Sequence, residues 1–289
     1  MDYQHNLAQN GKNEDRGSRF TAIRFRLVRV LILAALCALP RPADAVPSPS
    51  LQVLNFQKKT ALIPGLGAQS PSGEITLTLQ DAQKDPNLQK LLRSAIYGGL
   101  SAEAYAERSI RDFEQRYKEA GKLLAEQGGP PRASYNWYYH EKASVVSEAD
   151  GLLVLKHRCE YYEGGAHGNS EENYIVLDTA DNRKLVLTDL IKDSSFPVLS
   201  GLIMEDLRKL VDIGPGEPLS KGGLLEDFVA PSSDFFLSRE GIGFHWNPYE
   251  IAPYVYGHVE VLIPYKEANG LLTVLGQSAG ARFSASTKR

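Results

Sequence analysis

Hydrophobic positions along the chain follow two different periods, and the points where the period changes mark out the elements. In "GEITLTLQ" the alternation of Ile75, Leu77 and Leu79 predicts a half-buried strand, preceded by a shorter strand-like piece at Leu51 to Phe56. From Pro86 the spacing becomes helical: Leu88, Leu91, Leu92 and Ile96 share one face, and Gly98-Gly99 closes the run. Ser101 then caps a second predicted helix, whose inward stripe is Ala106, Ile110, Phe113, Tyr117 and Leu124. The run "EQGGPPRAS" at 126–134 breaks both helix and sheet, and a boundary between two subdomains, 46–130 and 131–275, is placed there.

Beyond the boundary the pattern is mostly strand. "YNWYYHEKASVVS" and "GLLVLKHRCEYYE", separated by Ala149-Asp150-Gly151, predict a hairpin whose second strand puts Leu153, Leu155, His157, Cys159 and Tyr161 on one face. "NYIVLD" and "KLVLTDLI" predict the next pair. A helix is expected from Phe196 to Asp212 with Leu199, Leu202, Ile203, Leu207 and Leu210 inward, closed by Gly214-Pro215. Two final strands are "IGFHWNP" and "HVEVLIPY", and 276–289 reads as a flexible tail. The predicted class is α+β, an antiparallel sheet covered by helices.

The first 45 residues carry a different signature. A region with Arg16, Arg19, Arg24, Arg26 and Arg29 runs into an apolar stretch from Leu27 to Leu39 and then the triplet Ala43-Asp44-Ala45, the order of a secretory signal peptide. The stretch of about 13 residues is short against the roughly 20 that a spanning helix needs, so no stable transmembrane span is expected. Cleavage is placed after Ala45. A lipoprotein anchor on Cys37 fits less well, because bulky Leu36 precedes the cysteine. The expected location is the periplasm or cell envelope.

Loss of this segment removes 7 of 32 basic and 4 of 35 acidic side chains, leaving a mildly acidic chain of 25 against 31. Such a balance has no basic stripe for nucleic acid. Cys159 is left as the lone thiol, so no intramolecular disulfide forms.

Two stretches concentrate chemistry. "EYYEGGAHGNSEENY", 160–174, has no helical period; Gly164, Gly165 and Gly168 suit positive φ, Asn169 tolerates the left-handed region, and His167 can bond neighbouring carbonyls. "YEIAPYVYG", 249–257, is stiffened by Pro253 and contributes Tyr249, Glu250 and Tyr256, with Tyr254 expected to pack beneath the loop. The candidate binding residues are Tyr162, Glu163, Gly164, Gly165, His167, Asn169, Tyr249, Glu250 and Tyr256, with Glu163, Glu171 and Glu172 facing a cationic partner. No metal or other cofactor is expected: the histidines have no recognised ligand spacing, although His157 and His167 lie ten apart and the fold could bring Asp178 or His245 beside them. No catalytic residue is assigned either. Cys159 with His167 and Asn169 suggests a thiol nucleophile, but its strand phase with Leu153 and Leu155 points it into the core. Glu163 with Asp178 or Glu250 as a carboxylate pair is weak, since acids in turns are usually solvated.

The order of landmarks in the second half resembles a known family. Tyr162 to Asn169, Leu185 to Leu190, Phe244 to Gly257 and Val259 to Tyr265 follow one another as in DUF3298, a domain of unknown function, over 134–272. Residues 51–130 resemble, more loosely, its companion family DUF4163. The resemblance implies an exported or membrane-tethered envelope protein, since relatives include lysozyme-sensing anti-sigma factor ectodomains and regions preceding peptidoglycan deacetylase domains. This chain has no Thr-Phe-Asp-Asp segment and no paired-histidine metal motif of such a deacetylase. The expectation is a non-catalytic binding module for a lysozyme-like protein or for peptidoglycan. An envelope hydrolase using the His167 loop and a scaffold without specific ligand are the alternatives.

Overall fold

The computed structural model describes residues 51–127 and 133–286; the predicted signal peptide and its cleavage site lie outside the described residues. Strand β1 (Gln52–Ala61) pairs antiparallel with β2 (Ser72–Asp81), so that Leu54 faces Leu79 and Phe56 faces Leu77. The predicted alternation holds, and Ile75, Leu77 and Leu79 are buried. Helix α1 (Pro86–Ala95) starts where the Asp85 side chain accepts from the Asn87 and Leu88 amides, with Pro86 in the first turn, where a missing N–H is harmless. Helix α2 (Ala102–Gln127) is capped by Ser101, whose Oγ accepts from the Ala104 amide, and it buries Ala106, Phe113, Tyr117 and Leu124 as the stripe predicted.

The two helices form a crossover, and strand β3 (Trp137–Ala149) therefore enters parallel to β2. The α+β class holds, and within the expected antiparallel sheet the β2–β3 pair alone, among the described residues, runs parallel. It also joins strands from both sides of the 126–134 breaker in one sheet, and the described residues fall in one compact unit. Strands β4 (Leu152–Tyr162), β5 (Asn169–Asp178) and the short β6 (Arg183–Lys184) complete six strands in sequence order. "LLVL" and "YIVL" are continuous apolar runs because both faces there are covered. Leu153, Leu155, Ile175 and Leu177 join the core under α1 and α2, whereas Leu152, Val154, Tyr174 and Val176 join a second core on the opposite face.

That second core is closed by a three-stranded antiparallel sheet of β7 (Phe235–Leu237), β8 (Gly241–Trp246) and β9 (Val259–Pro264). Only a two-residue strand follows the 179–182 turn. "LTDL" becomes helix α3 (Leu187–Leu190), because the Asp189 carboxylate accepts from the Val186 amide at 2.8 Å and turns the chain. Helix α4 (Phe196–Leu210) buries Leu199, Ile203 and Leu207, but Leu210, expected inward, is exposed. The i+4 series continues instead to Val211, which packs on the core. After the short helix α5 (Tyr265–Ala268), the expected flexible tail is corrected to helix α6 (Val274–Ala285). Its small residues permit close approach. A Cβ on Gly276 would lie 2.2 Å from the Leu190 carbonyl oxygen, and Ala279 and Phe283 are buried.

No helix among the described residues is long and apolar enough to cross a membrane.

Candidate functional site

The β4–β5 connection and the 249–257 loop, separate in sequence, meet at one end of the molecule. Gly164 and Gly165 hold φ near 95° and 102°, and the Tyr162 hydroxyl donates to the Gly165 carbonyl at 2.9 Å. Gly168 is required for another reason than positive φ: a Cβ there would sit 2.4 Å from the Tyr138 hydroxyl oxygen. Asn169 takes no left-handed turn and instead begins β5, exposed. Open space surrounds the Gly165 Cβ position, so Gly165→Val tests backbone alone; it is expected to cost roughly 1–2 kcal/mol in thermal or chemical unfolding.

His167 is exposed and its Nδ1–H donates to the Gly168 carbonyl at 2.8 Å. Its ring stacks on Tyr254 at 4.4 Å between centroids, and Tyr254 stacks in turn on Tyr249 at 5.8 Å, with interplanar angles of 27° and 29°. The Tyr254 hydroxyl donates to the same Gly168 carbonyl at 3.0 Å. Tyr254 is therefore not packed beneath its loop but stands 38% exposed at the middle of an aromatic row, with Tyr249 57% and the neighbouring Val255 86% exposed. Tyr249 keeps a φ of 72°, stabilised by its amide bond to the Ala252 carbonyl. Glu250 caps that turn by accepting from the Asn247 amide at 2.8 Å, and the Tyr256 hydroxyl donates to Gly222 O at 2.5 Å. Glu250 and Tyr256 thus shape the loop.

The acids expected to face a cationic partner are matched internally. Glu163 pairs with Arg116 at 2.8 Å, and Glu171 accepts from the Tyr161 hydroxyl at 3.0 Å. Glu172 is buried, where it binds Lys156 and, at 2.8 Å, Arg158. Burial pushes its carboxyl up, but Lys156 and Arg158 outweigh this and hold it below the usual carboxylate range.

A hydrogen-bonded chain that sequence reading did not assemble joins Ser170 to Asp234. Asp234 Oδ2 lies 2.6 Å from His245 Nδ1, His245 Nε2 lies 3.2 Å from His258 Nδ1, and His258 Nε2 lies 2.8 Å from Ser170 Oγ. The carboxylate fixes the proton of His245 on Nδ1, leaving Nε2 to accept; His258 then carries its proton on Nδ1 and accepts from Ser170. Neutral imidazoles satisfy every link. Burial accordingly lowers the His258 pKa from the ordinary histidine range. The chain joins the sheets, Ser170 lying in β5 and His245 in β8. A signal for it existed: a histidine inside the fully buried run "GIGFHW" must find partners.

His157 and His167 do not converge on one another. His157 Nε2 bonds Glu141 Oε1 at 2.7 Å, with Cys159 two residues along the same face. Cys159 is half-buried, and its Sγ lies 3.4 Å from the Tyr139 hydroxyl. Burial pushes the thiol up to about 11, which removes the thiolate a nucleophile requires. Since Tyr139 remains to bond a hydroxyl, Cys159→Ser is expected to cost only about 1 kcal/mol, measured by chemical denaturation.

Residues 188–266 match the family model described as protein of unknown function (DUF3298), a narrower span than the landmarks suggested and one that omits the His167 loop. No curated protein matches the chain. A crystal structure of a DUF3298 member from Bacteroides fragilis is similar at 23% identity, covering 81% of this chain and 98% of that one, with a TM-score of 0.71. A DUF3298 protein from Pseudomonas aeruginosa is similar at 19% identity, covering 78% and 95%, with a TM-score of 0.55. Both share the fold. Residues 188–266, which match the DUF3298 model, hold α4, the second sheet and the Tyr249–Tyr256 loop.

Proposed function

We propose that this protein is an exported cell-envelope module that binds without chemistry, and that its contact surface is the row His167, Tyr254, Tyr249. The observation that carries the reading is the stack itself: three exposed rings drawn from two loops, two of them fixed by bonds to one carbonyl, form a preorganised aromatic face. Aromatic faces carry partial negative charge and suit the C–H faces of sugar rings. Because Glu163, Glu171 and Glu172 already have partners, the acidic character left for a cationic lysozyme-like protein is small. Cell-wall glycan is therefore the preferred ligand. Calorimetric titration with soluble peptidoglycan fragments and, separately, with lysozyme tests this; lysozyme alone binding would redirect the reading to a protein partner.

A hydrolytic reading rests on one specific observation, the Ser170–His258–His245–Asp234 chain, which has the order of nucleophile, base and orienting groups. Release of products from cell-wall fragments that stops in Ser170→Ala while the fold persists would promote it. Export makes its own prediction. Mass spectrometry of the protein recovered from the producing cell should find Val46 at its start, whereas an acylated Cys37 would establish a lipid anchor.

A further inference from the structure

Apart from the aromatic row, one cluster on the α2-facing side of the sheet combines three donors of different kinds. Glu141 on β3 lies directly opposite Cys159 on β4, and His157 is two residues along the same face of β4. Their ligand atoms, a carboxylate oxygen, Nε2 and Sγ, all lie within 4.8 Å of one another. We propose that Glu141, His157 and Cys159 form a binding site for a zinc ion.

Four features support the assignment. Tetrahedral zinc takes oxygen and nitrogen at about 2.0–2.2 Å and sulfur at about 2.3 Å, which places ligand atoms roughly 3.3–3.8 Å apart; modest opening of the Glu141–His157 contact of 2.7 Å reaches that spacing. The charges also balance. When the metal binds, the Cys159 thiol gives up its proton to water, and the resulting thiolate with the carboxylate neutralises the divalent cation, which suits a site where the Glu141 side chain is 0% exposed. The donors sit on adjacent paired strands and are held from outside: the Tyr139 hydroxyl donates to Glu141 Oε2 at 3.0 Å and touches Cys159 Sγ. Finally, the His157 side chain is 17% exposed, which leaves a solvent edge for entry and for water as fourth ligand.

The other carboxylate–imidazole trio, Glu172, His245 and His258, lacks these features. Lys156 and Arg158 already occupy Glu172, and both nitrogens of His245 are committed to Asp234 and His258. A cation there would meet two positive side chains.

The test uses the full chain without affinity tag, carrying Cys37→Ser so that Cys159 is its sole thiol, stripped of metal and titrated with cobalt(II) as a spectroscopic probe. One equivalent should generate a sulfur-to-cobalt charge-transfer band that zinc bleaches. The band should vanish in Cys159→Ser, weaken at least tenfold in apparent affinity in His157→Gln, and persist in His245→Asn. Independently of any variant at the site, one equivalent of zinc should slow labelling of Cys159 by a thiol reagent at least tenfold. Absence of the band, its survival in Cys159→Ser, its loss in His245→Asn, or unchanged labelling with zinc overturns the site.

Discussion

Replacing Glu172 by alanine is expected to lower the stability of the fold by about 3 kcal/mol, the largest effect of any single polar substitution argued for this molecule. Its side chain is 3% exposed and receives both Lys156 and Arg158, so truncation leaves two cations facing a vacated polar site. The figure sits at the low end for a broken buried pair because Lys156 and Arg158 are themselves 21% and 45% exposed and can turn toward water. Glu172→Gln, which keeps the shape but not the charge, should recover part of the loss. Chemical denaturation of the three proteins measures it. A cost for Glu172→Ala within 0.5 kcal/mol of zero would show that the pairs are no more than surface bridges.

The same region sets the acid limit of the fold. His258 has a pKa lowered chiefly by burial, so its neutral form is the one the fold prefers; that contribution is intact above the ordinary histidine range near pH 6.5 and is lost as pH falls through the depressed value. Glu172, held below the usual carboxylate range, adds a loss of the same sign at lower pH. The thermal midpoint should therefore fall between pH 7 and pH 5, and fall less in His258→Gln. An unchanged slope in that variant would remove His258 from the account.

What the sequence displayed was local. The alternation of Ile75, Leu77 and Leu79, and the stripe of Ala106, Phe113 and Tyr117, are spacing within single elements, and each is buried as read. The parallel pairing of β2 with β3 was not legible, since it depends on where a crossover of two helices sets the chain down. Residues 276–285 misled for a different reason. Glycine, alanine and serine there resemble a disordered tail, but Gly276 and Ala279 are small because a backbone carbonyl and the core approach closely. At the site, the two loops were recognisable separately by composition. Their meeting was not, and neither was the Ser170, His245, His258, Asp234 chain, whose members come from β5, β8 and the residues just ahead of β7 and β9. Tyr254 was misplaced because proline and apolar neighbours suggest burial, whereas a stack on His167 and Tyr249 satisfies its ring at the surface.

Tyr254 is also the position where the binding proposal is most exposed to failure. Its ring is the middle member of the row and touches both neighbours, and its hydroxyl fastens the 249–257 loop to Gly168. Truncation to alanine removes one stacking face and uncouples the other two. Central aromatic anchors commonly carry about 2 kcal/mol or more, so Tyr254→Ala should weaken binding of soluble peptidoglycan fragments roughly 30-fold. Tyr254→Phe retains the ring and loses one exposed hydrogen bond, so a change of a few-fold is expected. His167→Gln, at the end of the row, should fall between them. Stability should barely move in any of the three, because Tyr254 and His167 are exposed and fill no core. Circular dichroism melts establish that point, and isothermal titration then reads the affinity. Equal affinity of Tyr254→Ala and the unaltered protein for every glycan fragment would remove the aromatic row from function, and a loss confined to lysozyme binding would assign the same row to a protein partner.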